Sequence, residues 1–273
     1  MPRRMIAAYG RGMMPLTPSA TGALPQQVLG AARERGDRPA LVDLGGGVVY
    51  GYRKLFTEVT RAASALVARG ARPGQAVGVH VGTVTFQTLA VQTVVAAGGV
   101  AVLLPAGAEE DESARLLTEL DARVLITGPE LLDGAMRLVE ASRVRQVVAF
   151  GPAPDTVDFH HLIDMDPRPL PEIDPKTQPA LVTARGRVST HRDVLTRMAE
   201  IDAEVALTES DVVLVTWPLD GGCDLPALVG LAVAKGCLVV AAPGLSQAEA
   251  AGTAHDFGVT VTTLPHGGIA RTT

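Results

Sequence analysis

Aromatic residues are scarce in this chain of 273 residues, where Trp, Tyr and Phe together make up 3% of the sequence. Proteins that bind single-stranded nucleic acid stack bases on aromatic side chains, so this mode of binding is not expected. Basic residues are also outnumbered, with 24 Lys and Arg against 29 Asp and Glu, and no run of Lys or Arg concentrates positive charge. The net charge of -5 therefore predicts no nucleic-acid partner.

Cysteines and long apolar runs are nearly missing as well. Cys223 and Cys237 are too few for a disulfide framework and have no metal-ligand spacing, which predicts buried, reduced thiols. The longest apolar runs, such as 227–234, are too short to cross a bilayer. Residues 1–23 contain three arginines but reach Gly, Pro and Ser before any apolar stretch of signal-peptide length. These features predict a flexible tail over 1–23, no membrane span and a cytoplasmic location.

The sequence does contain a regular alternation of predicted strands and helices. In residues 24–76 a helix precedes a hairpin, whose strands ALVDL and VVYGY are joined by a glycine turn. Residues 77–151 continue as a central α/β subdomain, and 152–179 form a linker rich in Pro and Asp. Residues 180–273 resume the alternation as a second α/β segment. The pattern predicts a doubly wound, mostly parallel α/β fold.

Several motifs of the first half occur in a recognisable order. RPAL at Arg38–Leu41 precedes YGYRKL at Tyr50–Leu55, then GARPGQAV at Gly70–Val77 and VQTVVAAGGVAVLLP at Val91–Pro105. Members of the adenylate-forming superfamily typically read RPAL, TYGEL, LGVRPGDRV and AVLRAGGVVVPL in this order. The chain therefore resembles the N-terminal part of that superfamily, which includes acyl-CoA synthetases, AMP-dependent ligases and adenylation domains.

The second half keeps the family order too, in LTESDVVLVTWPLDGG at 207–222 and in the stretch 232–268. The resemblance implies two doubly wound, mostly parallel sheet subdomains with a groove between them. It also implies that residues 24–76 pack with 205–273. The family's mobile C-terminal lid, with its catalytic Lys, and its YGxTE segment would lie beyond Thr273, so the lid is expected to be absent.

The phosphate-binding loop is where the chain departs from the family. Members hold ATP with a loop resembling YTSGTTGRPKGVVLTHRNL, whose glycines let backbone amides wrap the phosphates. PALV and STHRDVL flank the corresponding position here, but the middle of the loop has shrunk to Thr183–Arg187, which only Val188 separates from STHRDVL. Arg185 stands in place of the family Lys. One cation without converging amides cannot neutralise a triphosphate. No cofactor is expected, and ATP and magnesium binding is predicted to be weak or absent.

Two other polar clusters have simpler explanations than catalysis. Ser189, His191 and Asp193 are spaced like a nucleophile triad but surround a helix start, which favours capping. His160 and His161 lie near acidic residues, where a metal site is an alternative to a solvated loop.

Two places in the sequence provide candidate ligand contacts, namely the end of a predicted strand and the shortened loop. The catalytic residues are unknown. Polar residues follow a predicted strand at its carboxyl end, where open α/β sheets bind ligands, although a plain strand-to-helix turn is the alternative. There the family's aromatic-His pair is replaced by Leu219, Asp220 and Gly221. The two arginines of the shortened loop are candidates for an anion, against solvated turn charges. The full set is Arg185, Arg187, Trp217, Asp220, Gly221 and Asp224.

Three functions are compatible with these features. The first is a truncated, non-adenylating relative that acts as a binding or partner-interaction protein in a biosynthetic pathway. The second is an enzyme of ATP-independent chemistry on an acyl, aryl or carrier-bound substrate in the groove, and the third is half of a split ligase. Apolar surface left uncovered by the family's second half predicts a homodimer or a partner protein, and a small acyl or aryl ligand is compatible with the scaffold.

Overall fold

The computed structural model describes residues 22–164, 168–216, 224–242, 244–264 and 268–272. The first half contains the helices α1 (Leu24–Leu29), α2 (Tyr52–Ala68), α3 (Val84–Ala96), α4 (Glu110–Glu119), α5 (Leu132–Ala141) and α6 (Phe159–Ile163). These helices alternate with the strands β1 (Pro39–Asp43), β2 (Val48–Gly51), β3 (Ala76–His80), β4 (Val100–Leu103), β5 (Val124–Thr127), β6 (Gln146–Ala149) and β7 (Val157–Asp158).

The second half continues the alternation. Its strands are β8 (Pro179–Val182), β9 (Val188–Thr190), β10 (Val212–Val215), β11 (Leu238–Ala241), β12 (Val261–Thr263) and β13 (Ile269–Arg271). Its helices are α7 (His191–Val205), α8 (Asp224–Lys235) and α9 (Gln247–Phe257).

The predicted hairpin is confirmed as β1 and β2, which pair antiparallel. Its turn is closed by a hydrogen bond from the Gly46 amide to Asp43 Oδ1 at 3.0 Å, and Gly47 has a φ of +64°. A residue with a side chain rarely adopts that conformation, which explains the glycine at position 47.

The strands form two mostly parallel sheets, which confirms the predicted α/β class. The first sheet has the order β13-β12-β10-β11-β1-β2, and the second has the order β7-β6-β5-β3-β4-β8-β9. Strand β1 pairs in parallel with β11, with Leu41 opposite Val239, so residues far apart in sequence share the first sheet. The antiparallel pairs are β1 with β2, β8 with β9, and β12 with β13.

The second sheet extends beyond the predicted central subdomain. Strand β8 pairs in parallel with β4, and β9 completes the hairpin at the sheet edge. The predicted segment 180–273 is therefore divided between the sheets, because its first strands hydrogen-bond to the second sheet and its later ones to the first. Within the predicted linker, β7 and α6 are ordered, and α6 buries Phe159 and Leu162.

Helix α3 lies between the two sheets. Eleven of the side chains between Thr85 and Ala96 are buried, and the helix contacts β3 and β4 of the second sheet as well as β1 of the first. A helix that is buried on all sides and carries no charged residue is typical of such a central position. One hydrophobic cluster accordingly includes residues of both sheets, among them Leu41, Val79, Leu89 and Val239. No helix in the described ranges has both the length and the hydropathy to span a bilayer.

Candidate functional site

The shortened loop is the tight turn between β8 and β9. Its backbone is closed by hydrogen bonds from the Thr183 amide to the Arg187 carbonyl at 3.0 Å and from the Gly186 amide to the Thr183 carbonyl at 2.8 Å. The Arg187 amide donates to Thr183 Oγ1 at 3.3 Å. The amides of Thr183, Gly186 and Arg187 are thus used inside the turn, and they do not converge on an external anion.

The two arginines of this turn are exposed to solvent. Neither Arg185 nor Arg187 forms a side-chain hydrogen bond or ion pair with the residues that the structure describes. Arg187 acts at longer range on Asp193. The pKa of Asp193 is lowered by hydrogen bonds from Thr190, and the Arg187 charge adds to this effect.

The cluster at the start of α7 is a helix cap, as predicted. Thr190 Oγ1 accepts from the Asp193 amide at 3.2 Å, and Asp193 Oδ2 accepts from the Thr190 amide at 2.8 Å, which forms a capping box. His191 is fully buried, and its Nδ1 accepts from the Leu24 amide at 3.3 Å. Burial lowers the pKa of His191 to about 4. The side chains of a triad would have to contact one another, and these do not.

Asp224 begins α8 and is the member of the predicted strand-end cluster for which the structure gives contacts. Its side chain is exposed and accepts a hydrogen bond from Arg197 Nε of α7 at 2.8 Å. Trp217, Asp220 and Gly221 lie outside the described residues. Asp224 therefore connects α8 to α7 through an exposed ion pair, and its role as a ligand contact stays a prediction.

The predicted thiol and metal candidates have ordinary environments. Cys237 is buried, its Sγ donates to the Thr208 carbonyl at 3.1 Å, and burial raises its pKa to about 12. The prediction of a reduced, buried thiol is confirmed for Cys237, while Cys223 lies outside the described residues. His160 Nδ1 is 3.1 Å from Asp158 Oδ1. Across the described ranges, no group of three or more His, Cys, Asp and Glu is arranged to hold a metal ion.

The topological switch point of the second sheet is filled by a side chain of the protein. After β3 the chain runs towards one edge of the sheet, and after β5 it runs towards the other edge. The two connections leave a crevice between the carboxyl ends of β3 and β5, and a crevice of this kind is a common ligand site in α/β proteins. Here Glu130 Oε1 accepts from the Gly82 amide at 2.7 Å. A Cβ at Gly128 would lie 2.4 Å from the same oxygen. The Glu130 carboxylate thus lies at this switch point, against the ends of the loops that follow β3 and β5.

A cavity of about 720 Å³ lies between α1, α7 and α8, and we call it the interhelical cavity. The sequence alone did not predict this cavity. Small residues on three separate segments leave this space unfilled, namely Gly30 and Ala31 after α1, Ala199 on α7 and Ala234 on α8. Its charged lining residues are Glu34, Arg192, Asp202 and Lys235. Small and charged residues are common on the surface of any single helix, so the cavity is recognisable only once α1, α7 and α8 are packed together.

The family model described as AMP-binding enzyme matches residues 29–266, most of the chain. The chain belongs to the AMP-binding enzyme family. This confirms the resemblance to adenylate-forming enzymes drawn from the RPAL and GARPGQAV motifs. It also places the turn after β8 within the matched region of the family.

Several solved structures share the fold of this chain. The chain is similar to a long-chain-fatty-acid-CoA ligase (FadD1) from Archaeoglobus fulgidus, with a TM-score of 0.79 and 17% identity over 93% of this chain and 53% of the ligase. It is also similar to apo MbtA from Mycobacterium smegmatis, with a TM-score of 0.74 and 26% identity over 90% of this chain and 49% of MbtA. No curated protein matches the sequence. The chain spans about half the length of these solved proteins.

Proposed function

We propose that this AMP-binding family member does not form acyl-adenylates and acts as a binding or partner-interaction protein of a biosynthetic pathway in the cytoplasm. The observation that carries the proposal is the turn after β8. Three of its amides are consumed by hydrogen bonds within the turn. A triphosphate needs several amides directed at its oxygens, and a closed hairpin turn directs them inward.

The two arginines cannot replace the missing amides. Both Arg185 and Arg187 are exposed, and a charge pair in high dielectric contributes about 1 kcal/mol or less. Such attraction is non-specific and screened by salt. We therefore expect weak or absent binding of ATP and magnesium, and no use of a nucleotide as a cofactor.

A homodimer or a partner protein is the second part of the proposal. Strand β9 is the outer strand of the second sheet, and Val188 on it is 53% exposed. An outer strand with an apolar side chain can be extended by a strand from another chain. Native mass spectrometry of protein purified from its own cells would detect the companion or a retained acyl or aryl ligand. A ligand-free monomer in that spectrum, supported by light scattering, would contradict this part.

Loss of adenylation is tested by two measurements on the full chain. Isothermal calorimetry with ATP and magnesium is expected to give no saturable binding in 0.15 M salt, and pyrophosphate release is expected to stay at background with every carboxylic acid tried. The double variant Arg185→Ala/Arg187→Ala is the matched control, because weak charge attraction would disappear in it and in high salt. Turnover with any acid would refute the proposal.

A further inference from the structure

A small space lies between α3 and α8, and we call it the α3–α8 cleft. Its volume is about 10 Å³. A space of roughly 10–15 Å³ is the smallest that holds a water molecule. Its lining residues include Gln87, Thr88 and Gln92 of α3 and Pro226, Val229 and Gly230 of α8. The cleft is therefore too small for an organic ligand, and its size is close to that of one water molecule.

The polar side chains that line the cleft are buried. The exposed fraction is 7% for Gln87, 8% for Thr88 and 3% for Gln92. Within the described ranges neither glutamine forms a side-chain hydrogen bond, and Gln92 Oε1 is fully shielded from solvent. Buried polar atoms are almost always paired with the protein or with an ordered water molecule, because an unpaired one destabilises the fold. Gln92 Oε1 therefore needs a hydrogen-bond donor.

The residues that line the cleft do not supply this donor. Thr88 lies one turn before Gln92, and its hydroxyl donates to the Val84 carbonyl at 2.8 Å. Pro226 has no amide hydrogen, and the other amides in this part of α8 are used by hydrogen bonds within the helix. The Gln87 carboxamide is the remaining donor in the lining, and it makes no hydrogen bond to Gln92. A donor for Gln92 Oε1 must therefore come from outside these side chains.

The lining also determines the charge of the group that fits. No charged side chain lines the cleft among the residues that the structure describes, and α3 itself contains none. An ion would be buried there without a counter-charge, which costs far more than the burial of a neutral molecule. The two carboxamides offer donors and acceptors, and Thr88 Oγ1 retains the capacity to accept. A small neutral molecule that both donates and accepts hydrogen bonds matches this lining, and water has this chemistry and this size.

We propose that the α3–α8 cleft binds one internal water molecule, which donates to Gln92 Oε1 and to Thr88 Oγ1 and accepts from the Gln87 carboxamide. Three hydrogen bonds are typical of a buried water molecule. Helix α3 packs on β3 and β4 of the second sheet and α8 packs on β11 of the first, so the water joins helices that pack on different sheets. The assignment goes beyond the proposed function, because it does not depend on the loss of the phosphate loop.

Magnetic relaxation dispersion of water tests the assignment, because it counts the long-lived internal water molecules of the full chain in solution. Gln92→Met is expected to lose one water molecule relative to the unaltered chain, and Thr88→Val is expected to lose the same one. Each variant removes a hydrogen-bonding partner of the water and nearly keeps the size of the side chain, which limits disturbance of the core. An unchanged count in either variant would overturn the assignment.

Thr85→Val is the matched control on the same helix. Thr85 is 1% exposed and its Oγ1 has no hydrogen-bond partner within the described ranges, but it does not line the cleft. Its replacement is therefore expected to leave the count unchanged. Gln26→Met, at an exposed position of α1, is the corresponding control for the glutamine. Loss of a water molecule in either control would show that the count responds to changes outside the cleft, and it would refute the assignment.

A high-resolution crystal structure of the unaltered chain provides an independent measurement. A peak of electron density is expected at about 2.7–3.0 Å from both Gln92 Oε1 and Thr88 Oγ1. A dry cleft, or a protein donor from any part of the chain at Gln92 Oε1, would contradict the proposal. Neither measurement involves ATP or a carboxylic acid, so its outcome is independent of the proposed function.

Discussion

Arg271 and Asp211 are 60 residues apart in sequence and are joined by two hydrogen bonds, from Nη1 to Oδ1 at 3.0 Å and from Nη2 to Oδ2 at 3.2 Å. The same guanidinium donates from Nε to the Val205 carbonyl at 2.7 Å and from Nη2 to the Ala206 carbonyl at 2.8 Å. Arg271 on β13 therefore closes the C-terminal end of α7 and holds it to the residue before β10.

Removal of the Arg271 guanidinium should destabilise the fold. Arg271→Met leaves the Asp211 carboxylate buried without its charged donor, and hydrogen bonds to charged groups contribute about 1.5–3 kcal/mol. We expect the free energy of unfolding in urea to fall, because the buried Asp211 carboxylate loses its charged donor. Arg61→Met, at an exposed position on α2, should change it by less than about 0.5 kcal/mol. Equal effects of the two variants would contradict the role given to Arg271.

Asp211 should make stability depend on pH in strong acid. Burial by itself raises the pKa of Asp211, but hydrogen bonds from Arg271, Thr260 and Thr208 outweigh it and lower the pKa from 3.8 to about 2. The unfolded chain binds the proton first, so this contribution is complete above pH 3.8 and is lost as the pH falls to about 2. Urea unfolding of Asp211→Asn should show a shallower pH dependence in this window, and an unaltered slope would count against it.

His191 should make stability depend on pH in a separate and less acidic range. Its pKa is lowered from 6.5 to about 4 because burial disfavours the charged form. The unfolded state therefore binds the proton at higher pH, and stability is lost as the pH falls from 6.5 towards 4. The slope attributable to one proton is at most about 1.4 kcal/mol per pH unit. Thermal melts of His191→Asn should lack this slope, whereas His255→Asn, at an exposed position, should keep it.

The capping box of α7 should behave as a coupled pair. Thr190→Ala and Asp193→Ala should each cost about 1 kcal/mol, since each leaves a backbone amide at the helix start without its acceptor. The double variant should cost less than the sum, because the two side chains also contact each other at 2.9 Å. A double-mutant cycle by chemical unfolding measures the coupling, and strict additivity would show that the two caps act independently.

Gly186 should be the sensitive residue of the turn after β8. Its φ of +75° is unfavourable for alanine, although a Cβ there would meet no atom within 4 Å. Gly186→Ala should therefore cost about 1 kcal/mol through the backbone alone. Gly107→Ala is the matched control, because that glycine has equally open space and no positive φ. A neutral Gly186→Ala would mean that the turn relaxes to another form.

The alternation of strands and helices could be predicted because the spacing of apolar residues within each segment indicates its secondary structure. The hairpin β1–β2 and the glycine that follows α2 rest on turn chemistry that a few neighbouring residues determine, and Gly70 has a φ of +92°. The pairing of β8 with β4 could not be predicted in this way. A parallel partner is set by packing between distant segments, and the sequence of β8 alone reads as a generic buried strand.

The same distinction between local and long-range contacts holds for the candidate site. The shortness of the segment Thr183–Arg187 is visible in the sequence, but the use of its amides inside the turn depends on the hairpin geometry. The interhelical cavity and the contact between Arg271 and Asp211 each combine segments that are far apart in the chain. Their residues become recognisable only after the helices and strands are placed side by side.

The position of α3 has a consequence for how the chain folds. This helix is covered by strands of both sheets, so neither sheet can complete its apolar face while the other is unformed. Melting of the two sheets should therefore be a single cooperative event. Residues 77–151 expressed alone should collapse without fixed tertiary packing, because α3 would lose its contacts with α1, α2, α8 and β1.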